Sequence, residues 1–348
     1  MIVKTADTLQ ALAREILLKG GADEHNADIV AEHLVSANLS GVDTHGVWHL
    51  PHYVKGMQAG EIVGTARPEI LNETAASALV KGNWAFGHVT AKYAMKAAIE
   101  KAKEYHVTVV GLVQACHIGR LGHYVEMAAS EGMISMLWAG GFGVEVPATV
   151  PYGGRERALH TNPLAMGFPA GEAPPMMFDF ATTAVSGVKV LDARRRGDQL
   201  PAGCLVDKDG VPSTDPNDYF DGGAYLPFGG HKGYALMMAV EFLGRIFTGS
   251  DTFTDVGRGG AIMGHQGVTM IVLKADLFRP LAAFTNQVNE MGDRIRDIAP
   301  APGFEAVLMP GDPESRTRAA RKRDGIPIAD DVWESIVGVA ASLGVQVS

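Results

Sequence analysis

Near the start of the chain, apolar residues recur at helical spacing. Leu9, Leu12, Ile16 and Leu17 fall on one face, Thr8 is placed to cap the segment, and Gly20-Gly21 stops it. Asp23 opens a second helical run with Val30, Leu34 and Ala37 inward. Helical periodicity then lapses over residues 41–46 and resumes with Leu50, Tyr53, Val54 and Met57 up to Gly60. From about residue 65 the pattern changes. Residues 78–80 read as a strand, 82–87 as a loop and 89–105 as a helix; the β-branched run 107–113 suits a strand buried on both faces. A helix over 124–130 leads to a strand over 133–138. This strand–helix–strand rhythm predicts an α/β fold.

Prolines and glycines break the middle of the chain into short pieces, and Asp209-Gly210 favours a tight reversal. Residues 229–249 predict a strongly apolar helix, and 268–273 a strand. Phe284, Val288, Met291 and Ile295 return to 3.6-residue spacing until the stop at Pro300. The segment 314–324, with Arg316, Arg318, Arg321, Lys322 and Arg323, predicts an exposed helix with a solvated charged face.

Composition narrows the class. The 348 residues carry 30 Lys and Arg against 39 Asp and Glu, a formal charge of −9 that disfavours nucleic acid and anionic membrane as partners. Two cysteines, Cys116 and Cys204, cannot build a disulfide framework or a four-thiolate zinc site. The opening residues do not read as a signal segment, and no apolar run reaches the roughly 20 residues of a membrane span. A cytoplasmic protein is the expectation. Glycine is abundant, 42 residues placed singly or in pairs, as suits an enzyme with tight turns and close backbone approaches to a ligand.

Several chemistries lack their motifs. Gly257-Arg258-Gly259 and Gly141-Phe142-Gly143 both miss the third glycine of a dinucleotide fingerprint, and P-loop, nucleophile-elbow and zincin motifs do not occur. Histidines stand out instead. Four groups lie in glycine-rich turns: His45 with His49 and His52, His117 with His123, His160, and His231. Imidazole titrates near neutrality, so a loop histidine beside glycine suits proton transfer to a substrate. A single histidine of this kind is otherwise a surface or structural residue. His45 and His49 are spaced i, i+4, but Gly46 weakens a helical metal pair, and no metal site is predicted. Asp179, in an apolar strand-like stretch, is either paired or functional, because an unpaired buried charge is costly.

Taken in order, the segments 41–53, 117–124, 161–165, 178–183, 200–212, 231–233 and 308–312 resemble the type-2 malate/L-lactate dehydrogenase family. The resemblance runs from about residue 8 to 340. It implies a non-Rossmann, L-sulfolactate-dehydrogenase-like α/β fold: a mixed central sheet, with helical N- and C-terminal parts packed together. Residues 1–75 with 280–348 would form a mainly helical dimerisation and substrate part, and 76–279 the cofactor-binding part. It further implies an NAD(P)-dependent oxidoreductase acting on a 2-oxo or 2-hydroxy acid, as a homodimer.

By position, the resemblance assigns catalysis to His45, with Thr44 where serine is usual, and to Asp179 and His117. Cofactor contacts fall on Thr161, Asn162, Asp179, Phe180, Ala181, Thr182, His231, Lys232, Gly233, Pro310, Gly311 and Asp312. Either NAD or NADP is implied. Substrate contacts fall on His49, Tyr53 and Arg120. Many members carry arginine where this chain has His49, and histidine cannot make the same two-pronged carboxylate contact. Arg120, if it faces the pocket, replaces that cation. The chain is closest in feel to hydroxycarboxylate dehydrogenase B and ureidoglycolate dehydrogenase members, the former pointing to bulkier 2-oxo acids. A cyclic-imine reductase of the piperideine-2-carboxylate type, or a ureidoglycolate dehydrogenase, is the alternative within the same fold.

Overall fold

A computed structural model describes residues 1–347. The centre is a seven-stranded sheet. In spatial order its strands are Glu69–Glu73, Ser77–Lys81, Val107–Val113, Gly267–Lys274, Met133–Gly140, Leu164–Phe168 and Met176–Phe180. Ser77–Lys81 and Val107–Val113 run parallel, and every other neighbouring pair is antiparallel. The sheet is therefore mixed. The run 107–113 lies inside it, where Val110, Leu112 and Val113 are fully enclosed.

Helix Gly87–Tyr105 covers one face of the sheet with Ala91, Ala94, Ala98 and Ala102, small residues that let the backbone approach closely. Helix Gly122–Ser130 adds Tyr124 and Val125 to the same core. On the other face lies helix His231–Val240, which widens into a π-helical segment, Glu241–Ile246. That widening coincides with a buried acid. Glu241 accepts hydrogen bonds from the Gly141 N–H (3.0 Å) and from Asn162. Phe242, predicted as part of an apolar helix, instead points to solvent.

A second core joins the two ends of the chain. Leu9, Leu12, Ile16 and Leu17 meet Val30, Leu34, Leu50 and Val54, and the C-terminal Ile336 and Ala340 complete the cluster. Ile2–Lys4 pairs antiparallel with Ile326–Ile328, tying the ends together. Helix Leu281–Arg296 packs elsewhere, with Asn289 donating to the Ala170 carbonyl (3.1 Å).

Two expectations are corrected. The first helix, Ala6–Gly20, is capped by Thr5, whose hydroxyl accepts the Thr8 N–H, so Thr8 lies inside the first turn. The helix Asp312–Asp324 is not simply a solvated charged face. Arg318 reaches Ser40 (2.7 Å) and Glu126 (3.2 Å), and Arg321 clamps Asp43. Alternation of charge along the sequence does not reveal acids on other helices that draw these guanidinium groups inward.

Candidate active site

The His45 turn is anchored from behind. Asn38, buried on helix Glu24–Leu39, accepts the Val47 N–H (2.9 Å) and donates to Asp43 (2.6 Å). Arg321 binds both oxygens of Asp43 (2.6 and 2.9 Å) and also the Asn38 carbonyl. Gly46 is required here, since a Cβ would come within 2.2 Å of the Asn38 side-chain oxygen. These bonds hold two short 3₁₀ turns, Asp43–His45 and Val47–His49, before the helix Leu50–Gln58. Thr44 Oγ1 lies 3.0 Å from His45 Nδ1, which leaves Nε2 as the nitrogen free for other work.

The loop after Val107–Val113 brings in His117. Gly119 has a φ of +72°, and a Cβ there would meet the rings of His33 and His88 at 2.5 and 2.6 Å. Only glycine lets the backbone pass over both rings. The His117 ring lies 5.6 Å from that of His45, nearly parallel at 25°, and 4.6 Å from that of His49. Three imidazoles thus share one wall.

They face a cavity of about 470 Å³. Of the residues singled out from the sequence, Thr44, His45, His49, His117, Arg120, Thr161, Asp179, Phe180 and Ala181 line it. His160, from another of the glycine-flanked histidine groups, lines it too, and the remaining ones lie outside its wall. Tyr53, expected at the substrate, is 4% exposed and sits behind His117, to which its hydroxyl is hydrogen-bonded. Asn162 and Thr182 are buried braces. Asn162 donates to Glu241, and Thr182 donates to the carbonyls of Thr161 (3.1 Å) and Asn162 (2.9 Å). His231, Lys232 and Gly233 open the helix His231–Val240 beside Tyr152, with Gly233 pressed on the Phe228 carbonyl. Pro310 accepts the Met177 N–H, while Asp312 pairs with Arg296 (2.8 Å); Gly311 and Asp312 face neighbouring hollows.

Burial sets the charges. His45 is pushed down to about 4 by loss of water and by the nearby Arg120 guanidinium, and His49 and His117 are also well below the usual imidazole range, burial first and neighbouring histidines second. All three are neutral at pH 7. Asp179 moves the other way, up to about 6, because burial outweighs the Gly122 N–H it accepts (2.7 Å) and the attraction of Arg120. Arg120 is engaged through its two terminal nitrogens, while its Nε is buried without a hydrogen-bond partner among the described residues. It pairs with Glu126 (2.9 and 3.2 Å), and its side chain is 1% exposed. It borders the cavity and acts on it as a positive field.

Sequence reading missed several wall residues, among them Phe142, Gln266 and Glu314. Gln266 ties down the approach to His117 by donating to the Ala115 and Cys116 carbonyls (both 3.1 Å). Glu314 borders both this cavity and a second one of about 390 Å³, lined also by Gly171, Pro174, Gly311 and Ser315. Its Oε2 is buried without a hydrogen-bond partner among the described residues. An orphaned acceptor between two hollows fits a dinucleotide, whose ribose hydroxyls donate. Among those residues no group of three or more His, Cys, Asp or Glu is arranged to hold a metal ion, and no helix is long and apolar enough to cross a membrane.

Comparison with known proteins agrees with this geometry. The family model for malate/L-lactate dehydrogenase matches residues 4–337. L-sulfolactate dehydrogenase of Methanocaldococcus jannaschii is 35% identical over 350 residues, covering 100% of this chain and 98% of its own. Its solved structure superposes with a TM-score of 0.89 at 33% identity, covering 99% of this chain and 98% of that one. Hydroxycarboxylate dehydrogenase B of Escherichia coli K12 is 33% identical, covering 97% of this chain and 94% of its own. The Δ¹-piperideine-2-carboxylate reductase of Pseudomonas syringae pv. tomato superposes with a TM-score of 0.84 at 31% identity, covering 98% and 100%. With its mixed sheet, joined termini and histidine-walled cavity, the chain belongs to the malate/L-lactate dehydrogenase family and is by that membership a 2-hydroxyacid dehydrogenase, with the nicotinamide cofactor the family implies.

Proposed function

We propose that this chain interconverts a 2-hydroxy and a 2-oxo carboxylic acid, with His45 as the group that takes up and returns the proton. One observation carries this reading: a neutral imidazole on the wall of a 470 Å³ cavity, its Nδ1 engaged by Thr44 and its Nε2 left free. A neutral ring is ready to accept the hydroxyl proton of the hydroxy acid. The nicotinamide ring, when bound, supplies the hydride acceptor or donor. Thr161, Asp179, Phe180 and Ala181 offer it a wall, and Glu314 offers an acceptor toward a ribose hydroxyl. A carboxylate beside the ribose favours NAD over the 2′-phosphate of NADP. The three arginines at 194–196 are already engaged, by Asn217, Asp331 and Asp198.

For the substrate, His49 in place of an arginine removes a planar two-pronged grip, and Arg120 attracts the carboxylate only through its field. The rings of His45, His49 and His117, with Trp48 beside them, give the cavity an aromatic side that suits an acid with a bulky tail. The likeness to the piperideine-2-carboxylate reductase supports a second reading, reduction of a cyclic imine, which neutral histidines would not repel. Homodimerisation through residues 1–75 and 280–348 is supported by exposed Met291, Ile298 and Phe304 in the latter, and a cytoplasmic setting by the acidic charge.

The test follows reduced-nicotinamide absorbance with each cofactor against small, aryl, ureido and cyclic-imine acids, for wild type and His45→Ala. Turnover with a 2-oxo acid that falls about 10²–10⁴-fold in the variant supports the reading. A variant as active as wild type refutes the role of His45.

A further inference from the structure

Behind the cavity wall the hydrogen bonding of one tyrosine is strongly constrained. The Tyr53 hydroxyl lies 2.8 Å from Nδ1 of His117 and 3.4 Å from Nε2 of His88. Tyr53 is 4% exposed and His88 fully buried. Burial keeps the phenol protonated, so it has one proton to give. The two neighbours therefore take opposite roles. Either the phenol donates to His117 and accepts from His88, or the reverse.

Nδ1 of His88 decides between them, for it is buried with no hydrogen-bond partner among the described residues. If Tyr53 donated to Nε2 of His88, a neutral ring there would carry its proton on Nδ1, as an orphaned donor. If Nε2 of His88 donates instead, Nδ1 is a bare lone pair. Orphaned buried N–H groups are rarer than under-satisfied acceptors. The shorter distance also belongs to the bond that a phenol O–H makes best. The order is then His88 Nε2–H to Tyr53 oxygen, and Tyr53 O–H to His117 Nδ1. That leaves the proton of neutral His117 on Nε2.

We infer that Tyr53, seated on His88, holds His117 as its Nε2–H tautomer, so that His117 is a hydrogen-bond donor to the substrate oxygen and His45 alone exchanges the proton. Tyr53 and His88 are positioning residues. The inference rests on the proposed function for what His117 does, but its structural half stands apart. Two histidines on one wall, each bonded through Nδ1 to a hydroxyl, take different tasks when Thr44 accepts from His45 Nδ1–H while Tyr53 donates to His117 Nδ1. The grip of a neutral N–H strengthens as negative charge grows on the carbonyl oxygen during reduction.

The full-length protein labelled with nitrogen-15 histidine gives the direct test. Long-range proton–nitrogen correlation shows which ring nitrogen of His117 carries the proton, with signals assigned by their loss in His117→Gln. Wild type shows Nε2–H. Tyr53→Phe, which removes one oxygen, shifts His117 toward a mixture of tautomers and lowers kcat about tenfold or more with cofactor KM unchanged. His88→Gln keeps an N–H toward Tyr53 and retains the tautomer; His88→Leu loses part of it. A wild-type His117 protonated on Nδ1, or a tautomer indifferent to Tyr53→Phe, overturns the inference. If the tautomer behaves as expected but no 2-oxo acid or imine is turned over, it is the proposed function that fails.

Discussion

Raising and lowering pH tests the electrostatics of His45 more sharply than deleting it. With its ring pushed down to about 4, roughly one molecule in a thousand carries the His45 proton at pH 7, against about one in four for an ordinary imidazole. Reaction in the two directions needs opposite forms: neutral for oxidation of the hydroxy acid, protonated for reduction of the oxo acid. Because one proton is released per oxidation, the ratio of kcat/KM values changes tenfold per pH unit whatever the histidine does. What the site decides is which direction carries that change. An ordinary imidazole would bend both profiles near pH 6.5. A ring at about 4 leaves oxidation flat from about pH 8 down to about pH 5, and places the whole dependence on reduction, which loses about 10³-fold over three units. The assay is kcat/KM in both directions across that range, with the substrate fully ionised throughout. Because Asp179, raised to about 6, lines the same cavity, the profile is taken for Asp179→Asn as well; a bend near 6.5 in both would show that His45 is hydrated and unperturbed, and the burial argument would be wrong.

Two further outcomes follow from the same burial and its supports. His45, His123 and His160 are held down to about 4 and His88 to about 3, so between pH 6.5 and 4 the unfolded chain binds their protons and the folded one does not. Asp179, raised to about 6, opposes them by binding its proton in the folded state first. His33, His49 and His117 shift the same way, so six net groups at about 1.4 kcal/mol per pH unit bound the loss at about 8 kcal/mol per unit, read as a Tm that falls steeply from pH 7 to 5; a flat Tm contradicts it. Arg321→Ala frees Asp43 and the turn carrying His45. The expected result is about tenfold lower kcat with about 1–2 kcal/mol lost from stability, discounted because Asp43 is half exposed; unchanged kcat would mean the turn holds itself.

Periodicity made the helices and the inner strands legible, because an amphipathic face records its burial locally. Leu9, Leu12, Ile16 and Leu17 all reached the core their spacing indicated, and Asp23 capped the second helix as expected. Two strands, one at the edge of the sheet and one inside it, left a weaker trace. Glu69–Glu73 is mostly exposed and carries no alternation to read, and Leu164–Phe168 hides among the prolines and glycines of the middle segment. Charge was misleading for a different reason. Whether Arg318 and Arg321 are solvated depends on Glu126 and Asp43, which lie nearly 200 and 280 positions away in sequence, and no local pattern encodes such a partner.

The histidines show where the limit falls. His45 and His117 stood out because glycines flank them, a signal shared by His231, which lies outside the cavity. His33 and His88 sit in ordinary helical positions and read as anonymous inward residues. Their place at the site appears only when Gly119 carries the backbone over both rings, and when Tyr53, two residues after Pro51 in the helix Leu50–Gln58, arrives between His88 and His117. The wall histidines are thus marked by local punctuation, whereas the buried groups bonded behind them are marked by nothing but proximity. A substitution at Tyr53 or His88 that leaves every wall residue in place should for that reason alter the reaction more than the same change at Lys232, which the resemblance singles out but which stands away from the imidazole wall.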